Sequence, residues 1–97
     1  MTLRVCYSAQ ARKDLSHIRL WTVKNFGSVQ ANHYLAQIDD LLRFVAENPG
    51  VALDASGIRS DLKKTVVRSH VAFFRVSETS VDVVRILHGG MYFNRWL

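Results

Sequence analysis

Residues 57–91 decide the fold of this chain and read GIRSDLKKTVVRSHVAFFRVSETSVDVVRILHGGM. Three short runs of β-branched and aromatic residues follow one another here, separated by polar residues at 69–70 and 77–80. Such runs are typical of strands, and connections this short join antiparallel neighbours. The sequence predicts three antiparallel strands, at about Lys63–Ser69, Val71–Val76 and Val81–His88.

The residues before this stretch predict one strand and two helices. Leu3, Val5 and Tyr7 alternate with polar or small residues, which is the period of a strand. Apolar residues then recur at helical spacing, first from a cap at Ser8 to Gly27 and again from a cap at Ser28 to residues 48–50. The tight turn between these two segments predicts an antiparallel helical hairpin. Residues 51–62 show no clear period and are predicted to form a loop.

The composition is that of one globular domain. The chain has 97 residues, of which 48% are hydrophobic and 22% charged. We therefore predict a single domain over residues 1–97, of the α+β class. In it an N-terminal strand and an antiparallel two-helix hairpin pack with an antiparallel sheet of about four strands. A single cysteine and the lack of a signal peptide or membrane-spanning run predict a cytoplasmic protein without a membrane partner.

The last two predicted strands have two different faces, because successive side chains of a strand point to opposite sides. One face is suited to packing under the helices: Ala72, Phe74, Val76, Asp82, Val84, Ile86 and His88. The other face combines apolar side chains with two arginines: Val71, Phe73, Arg75, Val81, Val83, Arg85 and Leu87. This second face is too apolar for solvent and too charged for an ordinary core, so either residues 91–97 or a partner segment should cover it.

Positive charge is concentrated in the C-terminal part of the chain. The net charge is +5, and residues 59–97 hold seven Lys and Arg against three Asp and Glu, whereas residues 1–58 hold six against five. A basic surface favours a nucleic acid, a complex that handles nucleic acids, or an acidic protein segment. It is equally compatible with a surface that only maintains solubility.

No metal or cofactor is expected, since the four histidines are scattered and Cys6 has no partner at a ligand spacing. A ribonuclease that activates a ribose hydroxyl needs a base, an acid and phosphate-binding cations, which His88, Tyr92 and Arg85 could supply. The alternatives are structural: His88 would hydrogen-bond the turn that follows it. The arginines would pair with Asp82, Asp61 or an acidic partner.

Residues 91–97 read MYFNRWL, and five of these seven residues are large and hydrophobic or aromatic. Chain ends are normally polar and frayed, so such a composition indicates burial or binding. We expect Met91 and Phe93 to pack as core. Tyr92, Arg95 and Trp96 are of the types that dominate binding hot spots, and we expect them to contact a target.

The order of residues along the whole chain resembles the ParE toxins of the RelE/ParE toxin superfamily. The resemblance is most specific at Arg85-Ile86-Leu87-His88 followed by Met91. Further stretches match the same pattern: Tyr7, Ala11, Asp14-Leu15, Ile18, Phe26-Gly27, Ala31, Tyr34, Ile38, Asn48-Pro49-Gly50, Ile58-Arg59, Ser69-His70-Val71 and Phe74-Arg75-Val76. Where many members carry an acidic residue after the methionine, this chain has Tyr92.

This resemblance implies a type II toxin that inhibits DNA gyrase by binding, blocks replication and serves plasmid stabilisation. A ParD-like antitoxin would neutralise it in a hetero-oligomer, and operator DNA would be bound only through the antitoxin. On this reading no catalytic residue is expected. The alternative is a RelE-like, ribosome-dependent mRNA endonuclease using His88, Tyr92 and Arg85. We assign antitoxin binding to Arg75, Arg85, Phe73, Val83 and Leu87, and target binding to Arg59, Tyr92, Arg95 and Trp96.

Overall fold

A computed structural model of the chain describes residues 2–90 and 93–97. Five strands form one sheet in the order β1-β5-β4-β3-β2, and two long helices lie between β1 and β2 in the chain. The elements, in chain order, are β1 (Arg4–Tyr7), α1 (Ala9–Phe26), α2 (Ser28–Glu47), a 3-10 turn (Pro49–Val51), β2 (Leu53–Asp54), β3 (Lys63–Val67), β4 (His70–Val76), β5 (Ser80–His88) and α3 (Phe93–Trp96).

The predicted α+β class is confirmed, but the sheet is mixed and has five strands. β1 runs parallel to β5. A parallel pair needs a long connection, which the helical hairpin and the meander provide here. β2 pairs Leu53 with Lys64 and Asp54 with Lys63, within a segment predicted to be a loop. A strand of two residues is too short to show a period of two in the sequence.

The helical hairpin forms where it was predicted. The Ser8 side chain accepts a hydrogen bond from the Ala11 N–H at 3.0 Å and so caps α1. Gly27 ends α1 with a φ of 90°, a conformation that side chains with a Cβ rarely adopt. Ser28 does not cap α2, since it is the helix's first residue and the cap position falls on Gly27. The turn between α1 and α2 is therefore one residue shorter than it would be if Ser28 were the cap residue.

The main core lies between the two helices and one face of the sheet. Fully buried side chains come from both layers: Ile38, Leu42 and Val45 of α2, with Ala72, Phe74, Val81, Val83 and Ile86 of β4 and β5. Ala11 and Ile18 of α1 complete it. Phe26 continues the helical spacing of Ala11 and Ile18, but it is 65% exposed at the hairpin turn.

A β-bulge in β5 reverses part of the predicted face assignment. Phe73 pairs with Arg85 and Phe74 with Val83, so Val84 is an extra residue without a partner on β4. An inserted residue moves every earlier side chain of the strand to the opposite face. Val81 and Val83 therefore lie under the helices and Val84 on the other face. The prediction was wrong for these three residues and for Asp82, which lies on the outer face opposite Arg75. Ile86 and Leu87 lie where the alternation placed them.

Candidate functional site

The outer face of the sheet, opposite α1 and α2, carries a second and smaller apolar cluster. Its buried members are Ala55, Leu62, Val71, Phe73 and Leu87. Phe93 and Leu97 of the C-terminal segment pack against this cluster, and the Phe93 ring lies 4.8 Å from that of Phe73. The C-terminal segment, described here at residues 93–97, thus packs on the outer face. This is one of the two alternatives that the sequence predicted for its cover. Phe93, expected to pack as core, contacts the cluster but stays only partly buried, and Met91 lies outside the described residues.

Arg85 is held by Asp14 of α1 in a two-pronged ion pair. Its Nε donates to Asp14 Oδ2 at 2.8 Å and its Nη2 to Asp14 Oδ1 at 2.9 Å. The two side chains are only 16% and 10% exposed, so water screens the pair weakly. The hydrogen bond to Asp14 raises the pKa of Arg85 above its already high value. The partner is therefore neither Asp82 nor Asp61, the two acids that the sequence suggested.

The same carboxylate closes the open edge of β5. Beyond the end of β1, the backbone of β5 has no neighbouring strand, and α1 takes its place. The Ser8 hydroxyl donates to the carbonyl of Val84 at 2.8 Å, and the N–H of Ile86 donates to Asp14 Oδ2 at 2.9 Å. The bulge thus places Arg85 beside a carboxylate that the backbone also needs, which makes Asp14 a triply bonded structural anchor.

Two arginines hold the C-terminal segment to the domain. Arg85 Nη1 donates to the Trp96 carbonyl at 2.9 Å, and its guanidinium lies 5.9 Å from the centre of the Trp96 ring. Arg59 donates to the Asn94 carbonyl at 3.4 Å. The structure thereby brings three of the predicted target-binding residues to one end of the outer face: Arg59, Arg95 and Trp96. Tyr92, the fourth, lies outside the described residues.

Arg75 lies apart from Arg85, in a polar groove of about 660 Å³. Asp82 lies opposite Arg75 on β5. The Nε of Arg75 donates to the Ser60 carbonyl at 3.4 Å. The groove is lined by charged and small polar side chains: Asp54, Ser56, Asp61, Lys63, Ser77 and Asp82. Arg75 is exposed, so of the two arginines predicted to bind a partner it is the accessible one.

His88 takes part in a histidine cluster rather than joining Arg85. Its Nδ1 accepts a hydrogen bond from the N–H of Gly90 at 3.1 Å, which fits the structural alternative of bonding the following turn. Its ring meets the His70 ring edge-on at 5.5 Å, and His70 Nδ1 lies 2.6 Å from the Tyr34 hydroxyl of α2. Burial, and then the neighbouring His88, lower the pKa of His70. Arg85 and His88 therefore do not converge on one point.

Three residues predicted to bind an antitoxin are buried. Phe73, Val83 and Leu87 are at most 2% exposed, and Val83 lies on the helix side of the sheet. Phe73 and Leu87 are accessible to a partner only if the C-terminal segment moves. The prediction that Val83 lies on the outer face was wrong, because the bulge places this residue on the helix side of the sheet.

Asp14 was not predicted as the partner of Arg85, although its position in the sequence carries a signal. Asp14 shares the α1 stripe with Ala11 and Ile18, both buried, and an acidic residue on a buried stripe needs a cation. That the cation is Arg85, 71 residues away, is visible only in the fold. Tyr34 and His70 carried no comparable signal, because their contact depends on how α2 packs against β4.

Two chemical possibilities find no support within residues 2–90 and 93–97. No three or more His, Cys, Asp or Glu side chains there are grouped to hold a metal ion. None of the helices there is both long and apolar enough to cross a membrane.

The architecture defines a small α+β protein in which a helical hairpin covers one face of a mixed sheet and a C-terminal segment covers the other. Residues 5–93 match the family described as "ParE toxin of type II toxin-antitoxin system, parDE". The chain therefore belongs to the ParE toxin family.

Individual relatives agree with this assignment. Toxin ParE1 of Mycobacterium tuberculosis is 33% identical over 96 residues, which is 98% of each chain. Toxin ParE1 of Caulobacter vibrioides is 30% identical over 84 residues, which is 87% of this chain and 86% of the relative. A solved structure described as a chromosomal ParDE TA system from P. aeruginosa has the same fold, with a TM-score of 0.76 at 16% identity over 90% of this chain and 96% of that one.

Proposed function

We propose that this chain is a cytoplasmic toxin that inhibits DNA gyrase by binding, is neutralised by a ParD-like antitoxin, and contributes to plasmid stabilisation. Membership of the ParE family supports the toxin class. The observation that carries the binding mechanism is the outer face, where an apolar cluster flanked by arginines is covered by residues 55–62 and a four-residue C-terminal helix. A face covered so lightly is suited to exchange its cover for a partner.

The antitoxin docks on this outer face with a segment that combines apolar and acidic residues. Arg75 is exposed in its groove and attracts a carboxylate, while Phe73 and Leu87 provide apolar surface once Phe93 and Leu97 move away. Arg85 contributes its Nη1, which becomes free to bind the antitoxin when the Trp96 carbonyl moves away. Its other contacts remain on Asp14. Operator DNA is bound only through the antitoxin.

The target is contacted by the C-terminal end of the molecule. Trp96 is 47% exposed and Arg95 is exposed, and both lie beside Arg59, which the sequence separates from them by more than thirty residues. Aromatic residues and arginines are the commonest anchors of protein interfaces. We extend this role to Tyr92.

Inhibition by binding fits the chemistry better than hydrolysis. A nuclease would need Arg85 and His88 around one phosphate, whereas Arg85 is bound to Asp14 and His88 belongs to the cluster with His70. The experiment that tests this is a pair of assays on one preparation: supercoiling by purified gyrase and ribosome-dependent mRNA cleavage. We expect inhibited supercoiling and intact mRNA. We also expect a folded His88→Ala variant to keep most of its gyrase inhibition. Cleaved mRNA with unaffected supercoiling would establish the endonuclease alternative instead.

The antitoxin interface is tested by charge reversal. Arg75→Glu should weaken the complex at least about tenfold in a calorimetric titration, because repulsion replaces attraction and a partner carboxylate is left unpaired. Arg12→Glu, the matched control, changes the same charge at an exposed position of α1, on the other side of the sheet, and should leave affinity unchanged. Arg85→Glu should also weaken binding, although it breaks the internal pair with Asp14 as well. Equal affinity for the Arg75 and Arg12 variants would exclude Arg75 as an anchor.

The target-binding role of the C-terminal segment is tested by deleting residues 94–97. The truncated protein should lose growth arrest in cells while a pull-down still recovers its antitoxin. Growth arrest that survives the deletion would contradict the role. Circular dichroism of the purified variant separates a lost contact from a lost fold.

A further inference from the structure

The outward surface of α1 is strongly basic, in a part of the chain whose overall charge is nearly balanced. The helix carries four exposed cations: Arg12, Lys13, Arg19 and Lys24. Its one acidic residue, Asp14, is buried and bound to Arg85. Residues 15–38, which span the hairpin turn, contain no acidic residue at all. The ion pair with Arg85 therefore removes the one negative charge that α1 itself carries.

Aromatic and aliphatic side chains lie on the same surface near the hairpin turn. Leu20, Trp21 and Phe26 are 68%, 60% and 65% exposed, and Val29 at the start of α2 is 81% exposed. The Trp21 and Phe26 rings contact each other with centroids 5.8 Å apart, which limits their freedom in the unbound state. A helix surface that is merely solvated does not keep two large aromatic rings exposed together with four cations.

We propose that the exposed surface of α1 binds single-stranded nucleic acid. The cations run along the helix over roughly 18 Å, from Arg12 to Lys24 at about 1.5 Å per residue, which is long enough to accompany several phosphates. The exposed rings of Trp21 and Phe26 offer faces on which unpaired bases stack. A basic track with aromatic stacking partners is the arrangement by which proteins hold single strands without reading their sequence.

This surface is separate from the outer sheet face to which antitoxin and target binding were assigned. α1 packs on the helix side of the sheet, whereas the C-terminal segment and Arg75 belong to the outer face. Nucleic-acid binding by α1 is therefore independent of gyrase inhibition. We expect a nucleic-acid strand to be bound while the outer face is occupied by a protein.

The test is a titration of the protein with fluorescein-labelled oligonucleotides of twelve thymidines or twelve uridines, between 50 and 300 mM salt. If all four cations contact phosphates, log K should fall with log salt with a slope of about −3, at roughly −0.7 per contact for single strands. The double variant Lys13→Glu and Lys24→Glu should bind at least about tenfold more weakly, with a shallower slope. The matched control, Lys63→Glu with Lys64→Glu on β3, makes the same change of net charge and should retain most of the affinity.

A second measurement tests base stacking. The chain has two tryptophans, so in a Trp96→Phe background the fluorescence reports Trp21 alone. Oligonucleotide binding should quench it, and Phe26→Ala should weaken both the quenching and the affinity. Three results would overturn the proposal: absence of binding at 50 mM salt, equal weakening by the β3 control, or loss of antitoxin binding in the α1 double variant with oligonucleotide binding intact. The last would assign the surface to a protein partner.

Discussion

The two faces of the sheet are both apolar, but they differ in what covers them. The inner face lies under α1 and α2, helices of 18 and 20 residues that contribute their own fully buried side chains. The outer face lies under residues 55–62 and a C-terminal helix of four residues that has no fully buried side chain. A helix of one turn has almost no stability of its own and depends entirely on its contacts. One face is therefore built to stay closed, and the other can open.

The largest effect should come from removing bulk under the helices. Phe74 is fully buried on the inner face, and Phe74→Ala should cost about 3–5 kcal/mol, because the lost contacts leave a cavity that long helices cannot easily fill. Urea unfolding followed by circular dichroism measures the loss. A loss below about 1.5 kcal/mol would mean that the inner face rearranges as readily as the outer one.

The next effect should come from Asp14, which joins the inner layer to the outer one. Asp14→Ala leaves Arg85 without its counter-ion and the Ile86 N–H without an acceptor, and should cost about 2–4 kcal/mol. Adding Arg85→Met should restore part of the loss, since a buried charge without a partner is the main penalty. Arg43→Ala, which breaks the exposed pair with Asp39, is the control and should cost much less. Comparable losses for Asp14 and Arg43 would contradict the anchoring role.

A smaller effect is expected at the outer cover. Phe93 is only partly buried against Phe73, so Phe93→Ala should cost on the order of 1 kcal/mol. The same variant should make the outer face more accessible, which hydrogen exchange of β4 amides can detect without global unfolding. If Phe93→Ala destabilised the protein as much as Phe74→Ala, the contrast between a closed and an opening face would not hold.

The smallest effect should be a dependence on pH through His70. Burial and the neighbouring His88 lower the pKa of folded His70 below its ordinary value of about 6.5. Below that value the unfolded chain takes up a proton that the folded protein resists, so stability falls as pH drops from about 6.5 until the folded pKa is passed. The melting temperature should therefore decrease between pH 7.5 and 5.5.

Three variants separate the histidines that cause this decrease. His70→Asn should reduce it most, and His88→Asn should reduce it partly by removing the repulsion. His33→Asn, at an exposed position of α2, is the control and should leave the decrease unchanged. An identical pH profile in all four proteins would exclude the cluster as its origin.

Local patterns in the sequence were enough to predict most of the architecture. The two helices, the hairpin turn at Gly27 and the three-stranded meander follow from periods and breakers within a few residues of one another. The same holds for the outer apolar surface at Val71, Phe73 and Leu87, and for the need to cover it. These features are decided by neighbours along the chain, and the sequence contains those neighbours directly.

Tertiary structure decided what local patterns cannot express. The bulge at Val84 depends on the pairing with β4, and one inserted residue moved Val81 and Val83 from the predicted outer face to the inner one. The partner of Arg85 is 71 residues away in the chain, and Arg59 meets the C-terminal segment across 35 residues. Register and long-range pairing are set by the packing of whole elements, because the free energy that selects them is distributed over many contacts. Sequence alone therefore determined which surfaces exist. The fold determined which of their charged groups are already paired within the protein.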